Sequence, residues 1–216
     1  MKMKFTLVAA LMFASVASFA QLSFGVKAGL NISTAPQKFG GEKVDDIKMK
    51  PGFNLGLIAD YSISDLLAVE TGLTVENKGF KMKEEDKFFG IKTESKMTTN
   101  LFYATIPVDI RLNFSKLYVL VGPYFGVAVA GKVKTTVKAD GEKETESEKL
   151  EFGNDELESD MKRMDVGLGF GAGYELNDNL GLRLGYDLGL TNLLPGGDKD
   201  NSMKNGSLNI SATYKF

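Results

Sequence analysis

The sequence contains no cysteine and no histidine. Without cysteine there are no disulfides and no thiol for a lipid anchor. Losing histidine as well removes both usual ligands of soft metal sites. Without histidine no Ser–His or Asp–His pair can form, which excludes the common hydrolase arrangements. No paired motif singles out two carboxylates from the 28 Asp and Glu residues. The expectation is a protein that is not an enzyme and carries no cofactor and no metal. Long apolar runs are scarce too: after residue 20 no 18-residue stretch is uninterrupted, so no transmembrane helix is expected. There is no basic surplus either. With 26 basic and 28 acidic residues, the balance argues against nucleic acid as a partner.

One end of the chain resembles an export signal. Lys2 and Lys4 precede the apolar stretch Phe5 to Phe13, and Ser18-Phe19-Ala20 follows as an A-x-A-like cleavage site. This predicts a removed signal peptide over 1–20 and one domain over 21–216. Removal of two lysines takes the net charge to about −4.

The remainder alternates. Leu208, Ile210, Ala212, Tyr214 and Phe216 occupy every second position of the last ten residues, with polar residues between them. A strand sends such neighbours to opposite faces. Seven earlier segments behave likewise: Leu22 to Ile32, Phe53 to Tyr61, Leu67 to Val75, Phe102 to Phe114, Leu117 to Val129, Val166 to Leu176 and Leu180 to Leu190. Each has about the length of a tilted transmembrane strand. The links Ser62 to Leu66, Ser115-Lys116 and Asn177 to Asn179 are short. Ser33 to Gly52, Glu76 to Leu101, Lys132 to Asp165 and Thr191 to Gly206 are long and polar. Strict alternation of short and long links predicts an all-β, eight-stranded antiparallel up-and-down transmembrane β-barrel, with short periplasmic turns and long extracellular loops. A soluble barrel of lipocalin type would not sort its links by length. The face opposite the apolar one holds glycines and the charges Lys27, Asp60, Glu70, Asp109, Arg111, Glu175, Arg183, Asp187 and Lys215, as the crowded interior of an eight-stranded barrel allows. Tyr61, Phe114, Tyr174, Tyr214 and Phe216 fall near the predicted periplasmic rim, and Phe53, Phe80 and Phe102 near the outer rim, as aromatic girdles do.

Gly25-Val26-Lys27-Ala28-Gly29-Leu30-Asn31 and Thr105-Ile106-Pro107-Val108-Asp109-Ile110-Arg111-Leu112-Asn113-Phe114 resemble the opening and fourth strands of the outer-membrane β-barrel (PorT-like) family of Bacteroidetes-type bacteria. Gly122-Pro123-Tyr124, Gly167 to Gly173 and Leu182 to Gly189 follow the same order, so the resemblance spans the mature chain. It implies an OmpA/OmpX-type eight-stranded barrel in the outer membrane. The family has no single activity, and some members serve secretion or gliding machinery. By resemblance to other barrels, Tyr214 and Phe216 form the signal read by the barrel-assembly machinery.

Candidate sites follow from charge. All three arginines, Arg111, Arg163 and Arg183, have inward parity. The expectation is a lumen ion-pair network of Glu70, Asp109, Arg111, Glu175, Arg183 and Asp187 that plugs the barrel. Arg111 and Glu70 should lie at similar height on adjacent strands, and Arg183 should meet Asp187, Glu175 or a residue across the lumen. Gly167-x-Gly169-x-Gly171-x-Gly173 lacks the spacing and helix of a phosphate loop and reads as a small-residue row within one strand. Residues 133–162 carry ten acidic and five basic residues. There Val133, Thr135 and Val137 continue the alternation of the fifth strand, and Asp140-Gly141 is a hairpin signal, predicting a ribbon of the fifth and sixth strands. Phe88 and Phe89, with Glu144, Glu146 and Glu148, are candidate contacts for a protein partner, or the acids for bridging cations. The expected role is that of a monomeric structural or surface-interaction barrel, embedded in outer-membrane lipid and lipopolysaccharide. An extracellular or secretion-apparatus protein is the expected partner. A narrow pore for ions or small solutes is the alternative.

Overall fold

The computed structural model describes residues 21–44, 46–88, 91–139 and 142–216. The expected signal peptide, Phe89 and the Asp140-Gly141 turn lie outside these residues, as do the side chains of 86–92 and so that of Phe88. The strands are β1 (Leu22–Thr34), β2 (Gln37–Phe39), β3 (Glu42–Lys43), β4 (Ile47–Ser62), β5 (Leu67–Phe88), β6 (Ile91–Phe114), β7 (Leu117–Ala139), β8 (Glu142–Lys149), β9 (Met164–Glu175), β10 (Leu180–Gly189), β11 (Ser202–Met203) and β12 (Gly206–Lys215). No helix occurs among the described residues.

Eight of these strands, β1, β4, β5, β6, β7, β9, β10 and β12, pair antiparallel in that order around a ring. The ring closes where β12 returns to β1, with Val26 opposite Tyr214 and Leu30 opposite Ile210. Each of the eight expected segments falls on one of them, with the last three overrunning their strands by a single residue. Sidedness follows the alternation: Leu30, Leu57, Leu184 and Ile210 are 54% to 66% exposed, whereas Asp60, Glu70 and Arg111 are at most 4% exposed. A soluble barrel has the opposite arrangement. Apolar residues outside and charges inside identify the ring as membrane-spanning.

The long links are more ordered than their composition suggests. β5, β6 and β7 run for 22, 24 and 23 residues, against the roughly 9–11 needed to cross a bilayer. The link expected over Glu76 to Leu101 is therefore the upper half of a long hairpin. Its apolar alternation fades because neither face of its far end meets lipid. The ribbon partner of β7 is also not the sixth expected strand. It is β8, whose sequence is charged on both faces, while β9 pairs with β7 only from Leu117 to Val127.

A bulge changes the facing of the ribbon. Phe102 pairs with Ala130 and Tyr103 with Ala128, leaving Val129 as an extra residue. A bulge puts two residues opposite one. Beyond it Val133 and Thr135 stand opposite the inward Thr99 and Met97, and Lys132 and Lys134 take the outward positions. The expected continuation of Val133, Thr135 and Val137 on the lipid-facing side fails at this one residue.

A second core closes the long-link end of the barrel. Ala35, Phe80, Leu101, Tyr103, Ala128, Met161, Leu193 and Met203 are buried together. Phe80, expected in the outer aromatic girdle, is instead inside this cap, because it keeps the inward parity of Glu76 and Lys78 along β5. Backbone bonds tie the links into the cap: Lys162 N–H to Leu193 O at 2.8 Å and Leu193 N–H to Met203 O at 2.7 Å. Beside it lies the small sheet β11-β2-β3.

The link between β10 and β11 is shaped by Asp198. Its Oδ1 accepts the backbone N–H of Asn201 at 2.7 Å and of Asp200 at 3.0 Å. Those bonds hold its carboxyl below the usual carboxylate range. A lowered folded pKa means that the ionised form supports the turn. That support is complete above the unfolded aspartate pKa and is lost as pH falls through the lowered folded value. The protection factor of the Asn201 amide, its exchange relative to the unstructured rate at the same pH, should therefore fall on acidification through that lowered value. In Asp198→Asn this pH dependence should disappear.

Candidate functional site: the charged lumen and the ribbon

Toward the short-turn end, six charged side chains from six strands converge. Arg111 Nη1 donates to Asp60 Oδ2 at 3.0 Å and to Glu70 Oε2 at 3.5 Å, and Arg111 Nη2 pairs with Glu175. Arg183 grips Glu70 with both ends of its fork, Nη1 to Oε1 at 2.6 Å and Nη2 to Oε2 at 2.7 Å. Lys215 Nζ lies 3.2 Å from both Asp60 and Glu175. Three carboxylates meet three cations, so the cluster is neutral within itself. Bidentate Arg–carboxylate geometry is the strongest form of such contacts. Tyr118 completes the cluster. The Arg111 guanidinium lies 3.7 Å from its ring centroid, and its hydroxyl accepts Arg183 Nε at 3.3 Å.

Arg111 and Glu70 thus meet from adjacent strands, and Arg183 takes the across-lumen option, reaching Glu70 rather than Asp187 or Glu175. Asp109 stands opposite Glu70 in the β5–β6 register and makes no ion pair among the described residues. Arg163, expected inside with the other arginines, is outside the network. It precedes β9, is exposed, and donates Nη2 to the Phe152 carbonyl at 3.3 Å. Alternation could not place it, because it is not in a strand.

A second cluster lies higher, centred on Lys78, which is 1% exposed. Lys78 Nζ lies 2.9 Å from Glu76, 3.9 Å from Asp165 and 4.0 Å from Asp187, and 4.6 Å from the Tyr124 ring centroid. Asp187 also accepts Asn209 Nδ2 at 3.0 Å, and Asp165 accepts Asn205 Nδ2 at 2.8 Å. Glu76, Lys78 and Asp165 fall in the expected links. Yet Glu76 and Lys78 share the parity of Glu70, so extending the third strand by three residues would have found them. Tyr118 and Tyr124 occupy the polar parity of the fifth expected strand, so the alternation itself turns them into the lumen. The glycine row faces these rings: in the β7–β9 register Tyr118 stands opposite Gly173 and Tyr124 opposite Gly167. A Cβ at either glycine would strike the tyrosine ring. Between the two clusters remains a cavity of about 50 Å³ lined by Lys27, Asp109, Arg183 and Asp187 among others.

The remaining candidates lie at the two ends. Glu144, Glu146 and Glu148 line one face of β8, opposite Val137, Thr135 and Val133 of β7. Among the described residues no three acidic groups converge closely enough to hold a metal ion. Tyr214 and Phe216 are exposed at the short-turn end, their rings 5.8 Å apart and edge-on.

The chain resembles Ail, the attachment invasion locus protein of Yersinia pestis, at 18% identity over 91% of this chain and 99% of that one, with a TM-score of 0.43. It resembles Neisserial surface protein A at 17% identity over 89% and 97%, with a TM-score of 0.42. It resembles OprG of Pseudomonas aeruginosa at 19% identity over 90% and 95%, with a TM-score of 0.35. No curated protein matches the sequence. The family model described as an outer membrane protein beta-barrel domain matches residues 15–194. With that match over most of its length, the chain belongs to the outer-membrane β-barrel family.

Proposed function

We propose that this protein is a non-conducting outer-membrane barrel whose working surface is the extracellular ribbon. The observation that carries the first half is the Arg183–Glu70 clamp, which spans the lumen from β10 to β5. Above it, Lys78 and three carboxylates block the same path. The remaining 50 Å³ accommodates a few waters and no larger solute. A role outside catalysis fits the absence of histidine and cysteine. Within the family, the motifs of strands one and four favour the PorT-like branch.

The ribbon supports the second half. β8 pairs with β7 along one side, so its other edge is free to accept a strand. Its Glu144, Glu146 and Glu148 face suits a partner with a basic surface. An extracellular protein or a component of a secretion apparatus is the expected class.

Planar-bilayer recordings should show no unitary current steps. Steady steps abolished by substitution of Lys78 would replace this reading with a narrow pore. Arg183→Ala leaves Glu70 short of its strongest partner, at a cost of about 3–5 kcal/mol. The folded gel band should then be lost at a lower temperature, and an unchanged temperature would remove the clamp. Replacing residues 134–147 by Asn-Gly should leave that band intact while abolishing protein crosslinks formed on living cells. Persistence of the same adducts would exclude the ribbon as the contact surface.

A further inference from the structure

The outward face of the sheet turns from apolar to basic within one step of the bulge. Phe102 packs edge-on against Phe53, ring centroids 6.2 Å apart, and Val129 beside it is exposed. In the next outward row Lys132 of β7 stands opposite Lys149 of β8. The rows above carry Lys134 and Lys81 on either side of Thr98, and then Lys83 opposite Lys96.

The sheet is split at this height. β9 pairs with β7 no farther than Val127, and β8 pairs with it only from Lys132 onward. The gap is a cleft of about 720 Å³. Phe102, Val129 and Ala130 supply an apolar side continuous with the lipid-facing surface, and Lys132, Lys149 and Arg163 supply the cations. Arg163 is oriented by the Phe152 carbonyl and lies 6.0 Å from the Phe152 ring. None of the three cations has an ion pair among the described residues. One carboxylate, Glu151, shares the lining, so cations are in excess.

An apolar strip below a cluster of unpaired cations is complementary to an amphiphile with an anionic head. Arginine offers a fork that matches phosphate, and lysine a mobile point charge. Basic side chains at a membrane boundary lay their stems on apolar surface and keep their charge among the headgroups. A soluble anion would use the charges alone and gain nothing from the apolar strip beside them. We propose that this cleft binds the phosphorylated headgroup of an outer-leaflet glycolipid. Its phosphate sits on Lys132, Lys149 and Arg163, and an acyl chain lies along Phe102 and Val129. The site rests on the outer-membrane placement of the family and is independent of the ribbon's partner and of the plugged lumen.

The test uses the folded barrel in a neutral detergent and native mass spectrometry with bisphosphorylated lipid A, the same lipid after dephosphorylation, and inorganic polyphosphate. The phosphorylated lipid should bind at least about tenfold more tightly than the dephosphorylated one, the scale of one lost charge-assisted contact. The triple variant Lys132→Gln, Lys149→Gln, Arg163→Gln should weaken it by at least the same factor. Lys38→Gln with Lys204→Gln, at another part of the rim, should leave it unchanged. The folded gel band checks each variant, and Arg163→Gln alone serves if the triple variant fails to fold. Equal binding of the two lipids, or unchanged binding by the cleft variants, overturns the proposal. Polyphosphate binding as tightly as the lipid also overturns it, in favour of a soluble anion.

Discussion

Inside hydrocarbon no water can satisfy a backbone amide, so every strand in the bilayer needs a neighbour on both sides. The β12–β1 pairing meets that condition for the last two open edges, and most of the remaining structure depends on it. Closure with eight strands leaves an interior only as wide as its side chains. Charges placed there are poorly solvated and gain from partners of opposite sign. The six-member cluster around Arg111 and Glu70 provides these through equal numbers of acids and bases. Arginine at two of the three cationic positions supplies fixed hydrogen-bond directions that a lysine lacks. The glycines of β9 fit the same confinement. Gly173 and Gly167 are small where the Tyr118 and Tyr124 rings lie, so the two ends of the row are the imprint of two rings on the strand beside them.

What could be read from the sequence followed the two-residue period and ended where that period stopped discriminating. In the bilayer the two faces meet lipid and lumen, environments as different as a protein encounters, and Leu208 to Phe216 or Leu180 to Leu190 show it plainly. Beyond the rim both faces of a strand can be polar. The outer halves of β5, β6 and β7 therefore resemble loops, which hides Lys78, while Asp165 stands in β9 one residue before the alternation of the sixth segment becomes visible. The cap was invisible for another reason. Ala35, Met161, Leu193 and Met203 come from three separate links with no common period, and only tertiary packing brings them together. The lumen pairing was partly legible, since parity assigned Arg111, Glu70 and Arg183 to one surface. Choosing Glu70 as the partner of Arg183 required knowing which strands face each other across the ring.

The cap and the lumen clusters act in series. Lys78 and Asp165 lie under Tyr103, which belongs to the apolar cap as much as to the polar interior. The long-link end is therefore a small globular core set on a membrane ring. Its connections are held by backbone bonds such as that from Leu193 to Met203, so the surface above them is shaped by packing and not only by charge repulsion.

The extra residue at Val129 gives this architecture a counting rule. Downstream of it, every side chain on the ribbon is indexed to the barrel by parity alone. Lengthening or shortening the β7–β8 hairpin by two residues on each strand alters its reach by one pleat and leaves lysines outward and valines inward. A change of a single residue on the barrel side of the hairpin would exchange the two faces, setting charge against the methionines of the cap. The ribbon can therefore change height at its tip without changing its facing, while a single residue added at its base is closed to it.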